Sequence, residues 1–276
     1  MGRNLERIGG DFLNNLALKE LMRSKEERHI LTAKITGIEN EYYKIRNESI
    51  PCAIVWYKDI KILIPSTHLR SSPINKAMLR GMLGAEIDFI IIDIDTTANI
   101  AIASRIDAME LRVEIELPKL KQNDTARVRV VAVGVKRIIV ELYGKEVTIQ
   151  AKNLKHTYIT NCKELYRAGD YLKVRIKSIN IEANQFELSA KDFEENPYKN
   201  IRKYIVETGE YTGQVIAFPK GNSGVIVQLD DSKITVLTRI PSKFRDYPHY
   251  MENVLIRVNE IKEDKCLIYG HLVRII

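Results

Sequence analysis

Three stretches of this chain repeat one pattern, and the repeat limits what the chain can fold into. They are GAEIDFIIIDIDTTANIAIASR (84–105), GDYLKVRIKSINIEANQFELSAK (169–191) and ENVLIRVNEIKEDKCLIYGHL (252–272). Each holds an alternating apolar strand, a short turn rich in Asn, Asp or Glu, and a second alternating strand. Placed in register they align Ile94, Ile179 and Ile261, which are 85 and 82 residues apart. Solenoid units run roughly 20–50 residues, so this period is too long for one. It suits a string of small, independently folded β-barrels.

The rest of the chain fits that plan. Its 276 residues, 45% of them hydrophobic, supply enough core for three small domains. Near the N-terminus Phe12, Leu13, Leu16, Leu21 and Met22 share a helical face, with Asp11 placed to cap it. That face is too small to stand alone, so the helix should pack on the first barrel or on a partner chain. ILTAKITGIE (30–39), CAIVWY (52–57) and IKILIP (60–65) read as the opening strands of the first unit. TARVRVVAVG (125–134), RIIVEL (137–142) and EVTIQA (146–151) open the second; GEYTGQVIAF (209–218), GVIVQL (224–229) and ITVLTRIP (234–241) open the third. A loop-helix excursion precedes the fourth strand each time, which is the order of a small Greek-key OB barrel. The expected fold is all-β: a helical segment over 1–27, an OB barrel over 28–108, a connector and second barrel over 109–198, and a third over 199–276.

Composition narrows the partners. Lys and Arg total 43 against 36 Asp and Glu, a net charge of +7. A mild, dispersed excess suits a phosphate-bearing partner, and equally a basic protein with none. Cys52, Cys162 and Cys266 form no CxxC pair and are odd in number. They predict neither a disulfide framework nor a zinc ribbon, but small buried residues in a reducing compartment. No signal-peptide core and no run of ~18 apolar residues is present, so the expectation is a cytoplasmic protein without a membrane span. No GxGxxG, Walker, HExxH or GxSxG motif occurs, and the five His are scattered. Asp93 and Asp95 share a strand face but precede a turn, where solvation accounts for them. No catalytic residue, metal or cofactor is expected.

Short motifs carry a family resemblance. GDYLKVRIKSI with FELSAKDFEENPY, LIPSTHL (63–69) and SGVIVQL (223–229) resemble the RNA-binding repeats of bacterial ribosomal protein S-one, prophage-encoded relatives included. The resemblance spans about residues 28–276 and implies OB barrels, single-stranded RNA and a role of the translation type. It also implies where RNA would sit. The family's strand-two aromatic falls on Ile54, Ile139 and Ile226, and its strand-three aromatic on Leu63, Thr148 and Val236. Its His falls on Pro65, Gln150 and Thr238, and its strand-five Arg on Asn99, Gln185 and Lys265. Only Lys265 keeps the family's character.

Two readings follow. In the first, RNA is bound through substitutes. These are Tyr43, Trp56, Lys61 and His68 in the first barrel, Trp56 sharing a face with Ile54 by strand alternation. In the second they are Arg127, Arg129, Lys152, Lys155, His156, Arg175 and Lys177. In the third they are Arg239, Lys243, Arg245, Arg257 and Lys265. In the second reading the barrels keep the fold and dock protein, such as a ribosomal or phage-assembly component, through outward Ile139, Ile226 and Val236.

Overall fold

Alternation of apolar and polar residues drives most of this chain into strands. The structure is a computed structural model that describes residues 16–43, 48–70, 74–181, 183–219, 224–230, 232, 234–242, 244 and 246–276. Helix α1 covers 16–27 of these. Strands β1 (Leu31–Tyr43), β2 (Glu48–Tyr57), β3 (Ile60–Pro65), β4 (Glu86–Asp95) and β5 (Ile100–Ser104) close a barrel in the order β1-β2-β3-β5-β4. The short helices α2 (Ser66–Leu69) and α3 (Lys76–Gly81) form the excursion before β4. Helix α4 (Arg105–Glu116) follows, its first turn capped by the Ser104 hydroxyl accepting from the Asp107 N–H.

The next five strands are β6 (Thr125–Val133), β7 (Arg137–Leu142), β8 (Lys145–Gln150), β9 (Tyr171–Asn180) and β10 (Gln185–Ser189). They lie in the order β10-β9-β6-β7-β8, an open sheet. The last five are β11 (Glu210–Ala217), β12 (Gly224–Leu229), β13 (Thr235–Arg239), β14 (Asn253–Lys262) and β15 (Leu267–Ile275). They close the barrel of the third unit, called the third barrel, in the order β11-β12-β13-β15-β14. The all-β class and the strand order are those the sequence predicts. The middle member differs: β8 and β10 are edges where the barrels have a parallel closing pair, β3 with β5 and β13 with β15. The start of β8 is engaged by other partners, since Glu146 binds Arg70 and Arg105. By contact density the chain divides into two compact units, 1–149 with 163–188, and 150–162 with 189–276.

The backbone carries the repeat more faithfully than the side chains do. Gly84, Gly169 and Met251, 85 and 82 residues apart, all have positive φ before the fourth strand of their unit. Each donates its N–H to the first strand, to Ile35, Val130 and Val215 in turn. Those three residues donate back to the carbonyls of Ala85, Asp170 and Glu252, at 2.7–3.0 Å. Asn99, Asn184 and Cys266 likewise share a left-handed turn before the fifth strand. The strand-five Arg of the resemblance therefore maps to Asn99, Asn184 and Cys266; Gln185 and Lys265 each lie one residue off.

Each closed barrel is filled by one alternate set of residues. Ala53, Val55, Ile62, Ile64, Ile87, Phe89, Ile91, Ala101 and Ala103 line the first core, and Val225, Val227, Val236, Val254, Ile256, Val258, Ile268 and Leu272 the third. Helix α1 docks on the first barrel through Ala17 and Leu21, which join that core, and the Ser24 hydroxyl accepts from the Ile91 N–H. The buried face of α1 is thus Ala17, Leu21 and Ser24; Leu16 and Met22 are exposed. Asp11, Phe12 and Leu13 lie outside the described residues.

Candidate nucleic-acid interface

Residues paired across a sheet share a face, and a face turned from the core is what a ligand can meet. In the third barrel one outward row runs Ile226, Leu237, Tyr269 through β12, β13 and β15. The next outward row runs Gly224, Arg239, His271, Arg257, Glu210 across all five strands of the barrel. On the other side of Tyr269, Lys262 of β14 sets its ammonium 5.0 Å from the ring centre. One aromatic thus stands between a row of cations and a lysine, on the β12–β13–β15–β14 face.

The charges on that face are solvated. Arg257 pairs with Glu210 at 2.5 Å, and Lys262 with Glu260 at 3.2 Å, all four side chains about half exposed. Exposed pairs of this kind contribute only about 0–1 kcal/mol, so they can exchange a carboxylate for a phosphate at little cost. Among the described residues Arg239 has no carboxylate partner. His271 Nδ1 meets Asn259 Oδ1 at 2.7 Å, which fixes the ring on the surface.

The transferred positions on β13 need a correction. Val236 and Thr238 are fully buried, facing the core, so Val236 is not an outward docking residue. The observed register pairs Ile226 with Leu237 and Val227 with Val236. A slip of one residue exchanges the two faces of a strand. The family's aromatic and His positions therefore fall on Leu237 and Arg239.

The first barrel's equivalent face has another chemistry. Its rows are Ile54, Leu63, Ile102, Asp93 and Trp56, Lys61, Ile100, Asp95. Trp56 is 55% exposed. Ile54 is nearly covered, and Leu63, Ile100 and Ile102 are half-buried. Lys61 is held by Glu39, and Asp93 by Lys25 of α1. The face is aliphatic around one Trp and edged with carboxylates.

The other expected site residues scatter. Tyr43 ends β1, and its side chain lies outside the described residues, as do Lys243 and Arg245. His68 sits in α2, beyond the β3 end of the first-barrel face. Arg127 is exposed and stacks over the Tyr171 ring at 4.2 Å. Arg129, by contrast, is mostly buried and bonds Asp88 at 2.9 Å and Glu141 at 2.8 Å. Burial opposes its charge, but Glu141 and Asp88 outweigh that and hold the guanidinium above its usual protonation range. It belongs to a chain of ion pairs: Arg105 joins Glu141 and Glu146 and donates to the Leu69 carbonyl, while Arg112 joins Asp88. Asp88, pushed up by burial, is carried below the usual carboxylate range by Arg129, by Thr32 and by Arg112. These arginines join the first barrel to the second sheet through ion pairs.

Arg175 donates to the Asn123 carbonyl, and Lys177 follows on β9. Lys152 is exposed, Lys155 lies 3.5 Å from Glu194, and His156 meets the Lys191 carbonyl. Lys265 is exposed on the turn before β15. Among the described expected residues, Trp56 and Lys61 share one row in the first barrel, and Arg239 and Arg257 share one in the third, next to the row of Tyr269. Tyr269, His271 and Lys262 were missed. The alternation Leu267, Tyr269, His271 against Ile268, Gly270, Leu272 was the signal that marks them as outward.

Among the described residues no helix is long and apolar enough to cross a membrane. No family model matches the chain. It is similar to a 4-hydroxy-3-methylbut-2-enyl diphosphate reductase of Clostridium acetobutylicum, 25% identical over 225 residues, 78% of this chain but 34% of that protein. It is also similar to small ribosomal subunit protein bS1 of Staphylococcus aureus, 27% identical over 90 residues, 33% of this chain and 22% of that one. The chain thus spans about a third or less of these relatives. Among solved structures, a multidomain protein with nucleic acid binding domains from Streptococcus pneumoniae aligns over 89% of this chain and 73% of its own, at 13% identity and TM-score 0.22. Drosophila Unr CSD456 aligns over 90% and 96%, at 9% identity and TM-score 0.19.

Proposed function

We propose that the chain binds single-stranded RNA, without catalysis, on the outward β12–β13–β15–β14 face of the third barrel. The observation that carries this reading is Tyr269 set among Arg239, His271, Arg257 and Lys262. Tyr269 is half-buried; stacking one base on an aromatic face is worth roughly 1–3 kcal/mol, and flanking cations guide the backbone on either side. The similarity to a ribosomal small-subunit protein supports the same reading. With it comes a translation-type, cytoplasmic role in a bacterium or its phage. The experiment is fluorescence anisotropy of a labelled single strand of roughly 30 nucleotides, long enough for several OB sites, titrated with the full chain at increasing salt. Saturable binding that weakens with salt, and weakens again in Tyr269→Ala, is the expected result. A flat titration at low salt would sink the reading.

The first barrel's face favours a second role for that barrel, docking a protein. An exposed Trp over half-buried Ile and Leu, with Asp93 and Glu39 already paired to Lys25 and Lys61, suits an apolar protein surface.

A further inference from the structure

Cys266 stands where the other units place Asn99 and Asn184, in the same left-handed turn before the last strand. The residue is half-buried, whereas Cys52 and Cys162 are buried. Segments far apart in sequence converge on it, all inside the unit formed by 150–162 and 189–276. His156 Nδ1 lies 4.0 Å from Sγ, and Asn196 Nδ2 donates to Sγ at 3.7 Å. The thiol also lies 3.8 Å from Asn196 Oδ1. His156 Nε2 is 3.1 Å from the Lys191 carbonyl oxygen. A carbonyl only accepts, so Nε2 carries a hydrogen, and the neutral ring presents the lone pair of Nδ1 to the sulfur. Asn196 Oδ1 accepts from the Tyr198 N–H at 3.0 Å, which identifies the oxygen end of that amide. The thiol therefore has a base beside it, the base has an orienting partner, and an amide N–H donates to the sulfur.

We propose that Cys266 is a base-assisted nucleophilic thiol, a modification site for peroxides and other soft electrophiles. When Sγ attacks a peroxide, the S–O bond forms and the O–O bond breaks. The thiol proton passes to His156 Nδ1 and on to the departing hydroxide, which leaves as water. Sulfur is oxidised to the sulfenic acid and the peroxide is reduced. With an alkyl iodide the S–C bond forms, iodide leaves, and the proton passes through His156 to solvent. The Asn196 N–H steadies the charge that grows on sulfur. Cys266, His156 and Asn196 are distinct from Tyr269, Arg239, His271, Arg257 and Lys262, and alkylation is read without RNA, so the two proposals can fail separately.

The test is alkylation of the native full chain with iodoacetamide, followed by peptide mass spectrometry. N-acetylcysteine is the reference thiol, and Cys52 and Cys162 are the internal controls. Base assistance reaches on the order of 10²–10⁴-fold in enzymes, so Cys266 is expected to react at least about 10-fold faster than the reference at the same pH. His156→Gln is expected to remove most of that excess, and Asn196→Ala to remove part of it. Should Cys162 become reactive in His156→Gln, that variant has opened, and Asn196→Ala decides the question. A Cys266 rate no higher than the reference overturns the proposal. So does a raised rate that neither substitution lowers.

Discussion

The first and third barrels share strand order, closing pair and the left-handed turns before their fourth and fifth strands, yet their outward faces are opposites. In the first, β2, β3 and β5 present Ile54, Leu63, Ile102 and Ile100 beside Trp56, with Asp93 and Asp95 at the rim. In the third, the matching strands present Tyr269 and Leu237 between Arg239, His271 and Lys262. The cations are also disposed differently. The unit holding the first barrel buries Arg105 completely and Arg129 mostly, against Glu141, Glu146 and Asp88. The third barrel leaves its cations in water. Because strand residues alternate, the inner set can hold the barrel while the outer set changes freely. One fold thus carries an aliphatic face around one Trp and a cation-lined face around one Tyr in one chain.

The largest effect should come from the buried pairs. Removing one partner of a buried ion pair costs about 3–5 kcal/mol, because the other charge is left uncompensated. Arg105→Ala should therefore lower the stability of the unit containing the first barrel by about that amount in urea denaturation. RNA affinity, which the proposal assigns to the other unit, should hardly change. A loss of RNA binding as large as the loss of stability would break the contrast between the two units.

Next comes the stacking residue. Tyr269→Ala should weaken RNA by roughly 1–3 kcal/mol, measured as the shift in anisotropy midpoint. Arg239→Ala should weaken it by less. It should also flatten the slope of log affinity against log salt by about 0.7, the single-strand value for one phosphate contact. An unchanged slope would remove Arg239 from the backbone path.

The smallest effect sharpens the first barrel's side of the comparison. Tyr57 is pushed up to about 12 by burial and then by its hydrogen bond to Glu20 of α1. Its folded value lies above the ordinary value of 10, so its contribution to stability is complete below pH 10 and is lost as pH rises through about 12. Burial and a hydrogen bond to Glu86 also push Tyr171 up, so ultraviolet titration of tyrosinate should show a late-ionising fraction that loses its last group, near 12, in Tyr57→Phe. If every tyrosine titrates together, α1 is not held to the barrel through that bond.

Much of this architecture was legible in the sequence because it rests on period and turn chemistry. The 85- and 82-residue offsets that align Ile94, Ile179 and Ile261 also relate Gly84, Gly169 and Met251, whose backbone bonds the structure repeats. The open middle sheet was not legible. It involves Glu146, whose partners Arg70 and Arg105 lie far away in sequence. The face was read one residue out of step on β13, since turn length sets register and Val236 and Leu237 are equally apolar. Arg129 reads as a free cation on an alternating strand. Only the fold brings Asp88 and Glu141 to it.

The most direct test of the central claim sets the two faces side by side in one experiment. RNA anisotropy would be measured on the unaltered chain, on Tyr269→Ala and on Trp56→Ala, at one low salt concentration. If the third barrel carries the nucleic-acid face and the first does not, Tyr269→Ala binds roughly 5–150-fold more weakly, the equivalent of losing one stacked base. Trp56→Ala then stays within about twofold of the unaltered chain, as a residue outside the path should. The reverse ranking, with Trp56→Ala the weaker binder, would contradict the account and move the RNA site to the first barrel.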